Sequence, residues 1–197
     1  IPQARFIHIV RDGRDVAVSL AAASREIGWF PRERLQDYAA VWKRQILAAR
    51  KAQDYPGRYL ELRYEDLSAS PEPVLKTVFE FCGLSASDES VREIVQKHQF
   101  ENLKRSRMTA ATGVQVPTGH YRKGRVGGWM EEFSPIQKYL INRVAGDLLR
   151  ELGYAPAGWW AARQYQKAWV PLAATLIKVY QRGVEAGRVL RGTRAVR

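Results

Sequence analysis

The sequence has very little of what would place it in several common classes. One cysteine, Cys82, stands in 197 residues, so no intrachain disulfide can form, and the chain suits a reducing compartment. Val78, Phe79, Phe81 and Leu84 around it predict a packed thiol rather than a nucleophile. The three histidines, His8, His98 and His120, are scattered, and no Cys/His cluster has metal-ligand spacing, so no metal is expected. The longest uncharged run of the C-terminal stretch, 168–177, is too short to cross a bilayer and contains Pro171. Internal repeats and low-complexity segments are absent. Acid is also scarce: 20 Asp and Glu face 32 Lys and Arg, for a net charge of +12. With 46% hydrophobic residues, the chain can bury one good core, and its surplus of cations calls for anionic partners.

Two stretches are rich where the rest is poor. Arg122-Lys123-Gly124-Arg125-Val126-Gly127-Gly128-Trp129 packs cations, three glycines and an aromatic into eight residues. Glycine lets backbone N–H groups turn toward an anion without a Cβ in the way, and Arg and Lys add the charge that a bare backbone nest lacks. At the other end, Arg5-Phe6-Ile7-His8-Ile9-Val10 is short, β-branched and apolar, and predicts a buried strand. Arg11-Asp12-Gly13-Arg14-Asp15 then reads as a turn, and Val16-Ala17-Val18-Ser19-Leu20 as the start of a helix. Such a turn aims the positive end of a helix at a ligand, with Arg11 at the strand tip and Ser19 on the helix as further partners. Asp12 or Asp15 would favour the first helical turn, and a plain surface pairing of Arg11 with Asp15 is the simpler alternative.

The run RFIHIVRDGRDVAVSL resembles the 3′-phosphate-binding strand-turn-helix of sulfotransferases that use 3′-phosphoadenosine 5′-phosphosulfate (PAPS). RKGRVGGW resembles the RKGxxGxW loop near the C-terminal end of that family, and YLELRYEDLSASPEPVLKTVFEFCGL its central strand and following helix. The three matches come in family order and cover roughly residues 4 to 154. The resemblance implies an α/β fold, a P-loop-NTPase-like parallel sheet flanked by helices. It implies that Arg11 and Ser19 hold the donor's 3′-phosphate, that Arg122, Lys123 and Gly124 close over it, and that Tyr64 contacts the adenine. A 3′-phosphate is a dianion with several acceptor oxygens, which suits bidentate Arg, a Lys point charge, a hydroxyl and backbone N–H groups.

Some positions depart from the family's pattern. Gly128 stands where Asp is frequent and Met130 where a basic residue is common. His98-Gln99-Phe100 falls where relatives have Thr-Ser-Phe, leaving Phe100 as a stacking residue or a core aromatic. The Gly- and Ser/Thr-rich loop that cradles the 5′-phosphosulfate has no counterpart here, nor does the upstream catalytic base. The chain is therefore expected to be a piece of a longer enzyme, truncated on its N-terminal side, inactive alone and supplying no catalytic residue. His8, inside the apolar run, reads as a core or hydrogen-bonded histidine.

The remaining pattern alternates. A helix over 34–53 puts Leu35, Tyr38, Val41, Trp42 and Ile46 on one face, Pro56-Gly57 turns into a strand over 59–64, and a helix over 72–81 ends at Gly83. Ser87 caps the next helix to about Lys97, 102–118 reads as an irregular lid, and Ser134-Pro135 opens a helix that closes at Gly153. We expect a sulfotransferase domain over 1–154 and a basic amphipathic extension over 155–197. The extension holds eight Lys or Arg and one Glu, against 24 basic and 19 acidic residues before it. Arg163, Lys167, Lys178 and Arg182 share one helical face, and Tyr165, Trp169, Leu172, Leu176 and Tyr180 another, with Trp159 and Trp160 at the start. Such a helix fits an anionic membrane surface, and equally a packed helix with its basic face in water. The resemblance implies a nucleotide donor and a hydroxyl acceptor (glycan, lipid or small molecule) as partners, and a cytoplasmic location, with peripheral contact at the inner membrane face left open. The competing function is a basic module that binds nucleic acid or another anion without catalysis. Cations grouped at two motif positions beside strand ends favour the enzyme, with no nucleic acid expected.

Overall fold

A computed structural model describes residues 3–26, 34–98, 126–156, 158–160 and 164–192. The chain divides into two compact units, residues 1–129 and 130–197.

In the first unit, β1 (Phe6–Val10) and β2 (Tyr59–Arg63) pair in parallel, in register from Phe6 with Tyr59 to Val10 with Arg63. Between them run α1 (Gly13–Glu26), α2 (Leu35–Ala49) and a 3-10 turn over Arg50–Asp54. Parallel strands need such a crossover, and α1 packs against α2. The predicted apolar face of α2 is largely as expected: Tyr38, Ala39, Trp42 and Ile46 are buried. After β2 come α3 (Tyr64–Ala69), α4 (Pro71–Cys82) and α5 (Asp88–Lys97). Gly83 ends α4 with a φ of 73°, and the Ser87 hydroxyl accepts from the Ser90 N–H to open α5. Arg5 reaches the same end of α4, donating to the Phe81 carbonyl, where a cation meets the negative pole of the helix.

Two expectations need correction. The strand read over 59–64 stops at Arg63, because Tyr64 already begins α3. β1 is not a buried strand: Val10 is buried, but Phe6, Ile7 and Ile9 are exposed. Its β-branched composition gives extended backbone, whereas burial needs layers on both faces, and among the described residues β1 pairs with β2 alone.

In the second unit, α6 (Trp129–Glu132, beginning at the last residue of the first) leads to α7 (Pro135–Glu151) and α8 (Gln164–Gly192). Ser134 and Gln137 form a reciprocal capping box at the start of α7. Leu140, Ile141, Ala145, Leu148 and Leu149 recur at helical spacing as its buried stripe. α8 packs along α7, with Val170 and Ala174 buried.

Candidate functional site

Because the last register pair is Val10 with Arg63, Arg11 and Tyr64 are the first residues beyond the sheet on neighbouring strands. The Arg11 guanidinium lies 4.5 Å from the centre of the Tyr64 ring, a cation–π contact at the carboxyl ends of parallel strands. Ligands of open α/β sheets bind at those ends. Trp42, buried on α2, donates its indole N–H to the Arg11 carbonyl at 3.0 Å and fixes the strand tip. A Cβ on Gly13 would come within 2.5 Å of that indole, so the turn needs glycine at the point where α2 crosses it.

The turn itself is held by acids. The Asp12 carbonyl accepts the first bond of α1 from Val16 N–H at 3.0 Å, and its carboxylate caps the Arg14 N–H at 2.9 Å. The same carboxylate takes the Arg14 side chain as a fork, with bonds of 2.8 Å from Nε and 2.6 Å from the terminal nitrogen. Both side chains are under a tenth exposed. Burial pushes the Asp12 carboxyl above its ordinary range, against the pull of the Arg14 hydrogen bonds. Glu65, in the first turn of α3, accepts the Asp12 N–H at 3.0 Å. Asp12 thus takes one of the N–H groups at the start of α1. Arg11 stands at the strand tip, over the Tyr64 ring.

Asp15 does something that the sequence could not show. Its two carboxylate oxygens accept the Gly127 N–H at 2.7 Å and the Trp129 N–H at 3.0 Å. The Trp129 ring lies 3.9 Å from the Arg14 guanidinium. The end of the basic Gly loop is thus tied to the first turn of α1, across more than 110 residues of sequence. Asp15 is a backbone anchor here and not the surface partner of Arg11. Gly127 has a φ of 77°, which makes it the residue that lets the loop bend there.

Of the expected site residues, Arg11 and Tyr64 meet at the strand ends, and Ser19 is exposed on α1. Arg122, Lys123 and Gly124 lie outside the described residues, as do Phe100, His120 and the lid over 102–118. Trp42, Asp15 and Glu65 were not singled out as site residues in the sequence. Trp42 was visible only as one of a buried helical face, and Asp15 only as a first-turn acid or a surface partner of Arg11.

His8 is indeed a hydrogen-bonded histidine. Glu61 on β2 accepts from Arg50 Nε at 2.8 Å, from a terminal Arg50 nitrogen at 2.6 Å and from the Tyr59 hydroxyl at 2.6 Å. The Tyr59 oxygen lies 2.6 Å from His8 Nδ1. Tyr59 gives its only proton to Glu61, so His8 Nδ1–H is the donor in that contact. The Arg50 hydrogen bonds bring the Glu61 carboxyl down to about 2, while burial lowers His8 and raises Tyr59.

Known proteins carry the same arrangement of elements. The sequence profile of the sulfotransferase domain matches residues 2–153. The chain belongs to the sulfotransferase family. It is 28% identical over 172 residues to a flavonol sulfotransferase-like protein of Flaveria bidentis, covering 76% of this chain and 55% of that protein. It is also 28% identical over 113 residues to cytosolic sulfotransferase 16 of Arabidopsis thaliana, covering 51% of this chain and 33% of the relative. The chain thus spans about half or less of the length of these curated relatives. A mouse sulfotransferase solved in complex with PAP superposes with a TM-score of 0.61 at 21% identity, covering 78% of this chain and 64% of that one. Retinol dehydratase, in a complex with androsterone and inactive cofactor PAP, gives 0.58 at 20% identity over 75% of this chain and 48% of that one. These likenesses establish the α/β sulfotransferase fold. The sulfotransferase match ends at Gly153, whose φ of 71° closes α7, so α8 lies outside it.

Proposed function

We propose that this sulfotransferase chain supplies the donor-binding part of an enzyme that moves a sulfuryl group from PAPS to a hydroxyl of a glycan, lipid or small molecule. The observation that carries this reading is the pair of bonds from Gly127 and Trp129 to Asp15. They bring the end of the basic loop to the turn that follows Arg11, so that two anion-binding motifs from opposite ends of the sequence serve one site.

Arg11 and Ser19 take the 3′-phosphate from the strand side. Arg122, Lys123 and the Gly124 N–H take it from the loop side. Tyr64, half-buried beside Arg11, offers a ring to the adenine. When bound, PAPS supplies the sulfuryl group and the leaving phosphate. The protein's own task is to position the donor and neutralise its charge, as in phosphoryl transfer. None of the residues described takes the role of general base. The donor-binding domain covers 1–154 and the basic extension 155–197. A cytoplasmic location is supported by the cytosolic relatives.

Calorimetric titration with 3′-phosphoadenosine 5′-phosphate (PAP) and with ADP tests the proposal. PAP binds at least about a hundredfold more tightly, since each charge-assisted hydrogen bond to the 3′-phosphate contributes about 1.5–3 kcal/mol. Equal affinity for the two nucleotides in a folded chain overturns it.

A further inference from the structure

Among the described residues, α8 has two apolar faces, one packed and one exposed. Val170 and Ala174, one turn apart, are buried where α8 runs along α7. Elsewhere around the helix Trp169, Leu172, Leu176, Val179 and Tyr180 are 67, 53, 62, 64 and 73% exposed. At about 100° per residue these five fall within an arc of about 100°, centred about 150° away from Val170 and Ala174. That is the width of stripe with which a helix normally faces a core. A contiguous apolar stripe of this size in water marks an interaction surface.

Charge identifies the occupant. Lys167, Lys178 and Arg182 are exposed and lie on the arc between the packed face and the apolar stripe, Arg182 nearest the stripe and Lys167 nearest the packed face. Residues 155–197 carry eight Lys or Arg and one Glu. A second copy of the chain laid on the stripe would bring two such strongly basic segments together, whereas anionic headgroups complement them. Trp169 and Tyr180, near the two ends of the stripe, are the residue types that settle at a membrane–water boundary. The tryptophan pair expected to mark this role does not do so in full: the Trp160 ring packs edge-on against Tyr139 of α7, 5.0 Å between centres. No described helix is long and apolar enough to cross a membrane.

We propose that α8 lies in the plane of an anionic membrane surface. Its Trp169, Leu172, Leu176, Val179 and Tyr180 face sinks into the boundary between headgroups and acyl chains, Arg182 beside the stripe reaches the lipid phosphates, and Lys167 and Lys178 on the polar side add to the attraction of the anionic surface. This geometry assigns α8 a role independent of the donor site, so each can fail without the other.

The test is co-sedimentation of the full chain with phosphatidylcholine vesicles, with and without about 30% phosphatidylserine. The chain pellets with the anionic vesicles and binds neutral ones at least about tenfold more weakly. Leu172→Ser with Leu176→Ser lowers anionic binding at least about tenfold, and each of Lys167→Glu, Lys178→Glu and Arg182→Glu by at least about fivefold. All five positions are exposed, and circular dichroism confirms that the variants fold. Three results overturn the proposal: wild type that stays in the supernatant with anionic vesicles, a leucine variant that pellets like wild type, or light scattering that shows a dimer dissociated by the leucine substitutions in a chain that binds no vesicles.

Discussion

On the face of the β1–β2 sheet, Arg50, Glu61, Tyr59 and His8 bond to one another. At the carboxyl ends of the same strands, Trp42, Glu65 and Asp15 bond instead to the backbone of the strand tip and of residues 127–129. In the first cluster the bonds run from side chain to side chain: Glu61 receives Arg50 and Tyr59, and Tyr59 receives His8. The second spends its side chains on holding main chain in place, with Arg11 over Tyr64 at the point they fix. Two strands therefore carry one polar cluster that stabilises and one that positions. Composition alone does not separate them, since each pairs arginine with carboxylate beside an aromatic ring. What separates them is whether the partners are side chains of the same cluster or backbone from distant segments.

Substitutions can break that contrast or sharpen it. Arg14→Ala has the largest expected effect, because it leaves the Asp12 carboxylate buried without its fork. Loss of a partner in a buried pair costs about 3–5 kcal/mol, read by urea denaturation. Glu61→Gln follows at about 2 kcal/mol, since the pair with Arg50 is only partly buried, and it leaves PAP affinity unchanged. It also changes the response to acid. Glu61 titrates near 2 when folded against an ordinary 4.5, so its stabilisation is complete above 4.5 and is lost as pH falls toward 2. His8, lowered from 6.5, adds a loss of stability that begins as pH drops below 6.5. Thermal melts of wild type should fall through both windows, and those of Glu61→Gln only through the upper one.

Asp15→Asn is expected to act on binding. Two backbone donors need two acceptor oxygens, and an amide supplies one acceptor and one opposing donor. PAP affinity falls about tenfold. An unchanged affinity would place Asp15 with the stabilising cluster instead. Trp42→Phe keeps most of the buried ring but removes the N–H that holds the Arg11 carbonyl. The loss is about 1 kcal/mol, or about fivefold in PAP affinity.

Much of this scaffold was legible in the sequence, because caps and breakers act locally. Ser87, Ser134-Pro135, Gly83 and Gly153 marked their helix ends, and the spacing of Tyr38, Trp42 and Ile46 marked a buried face. Arg11 of the strand-turn-helix and Tyr64 after the central strand were placed by resemblance, and the structure brings those two side chains together. What stayed hidden depends on distant chain. Nothing near Asp15 shows that its oxygens belong to Gly127 and Trp129, and nothing near Gly13 shows the Trp42 ring beside it. α3 was missed because it begins at Tyr64 with no linker after β2, so the tyrosine read equally well as the last strand residue. The exposure of Phe6, Ile7 and Ile9 was missed because a β-branched run reports backbone preference and not what covers it.

The central claim is that the Arg11 turn and the basic loop serve a single 3′-phosphate. The most direct test is the ratio of PAP to AMP affinity in wild type, Arg11→Ala, Arg122→Ala and the double variant, since AMP lacks only the 3′-phosphate. The account predicts that each single substitution lowers the ratio at least about tenfold, while AMP affinity stays nearly constant, and that the double variant lowers it further than either. An Arg122→Ala chain that keeps the wild-type ratio would contradict it and separate the basic loop from the strand-end site.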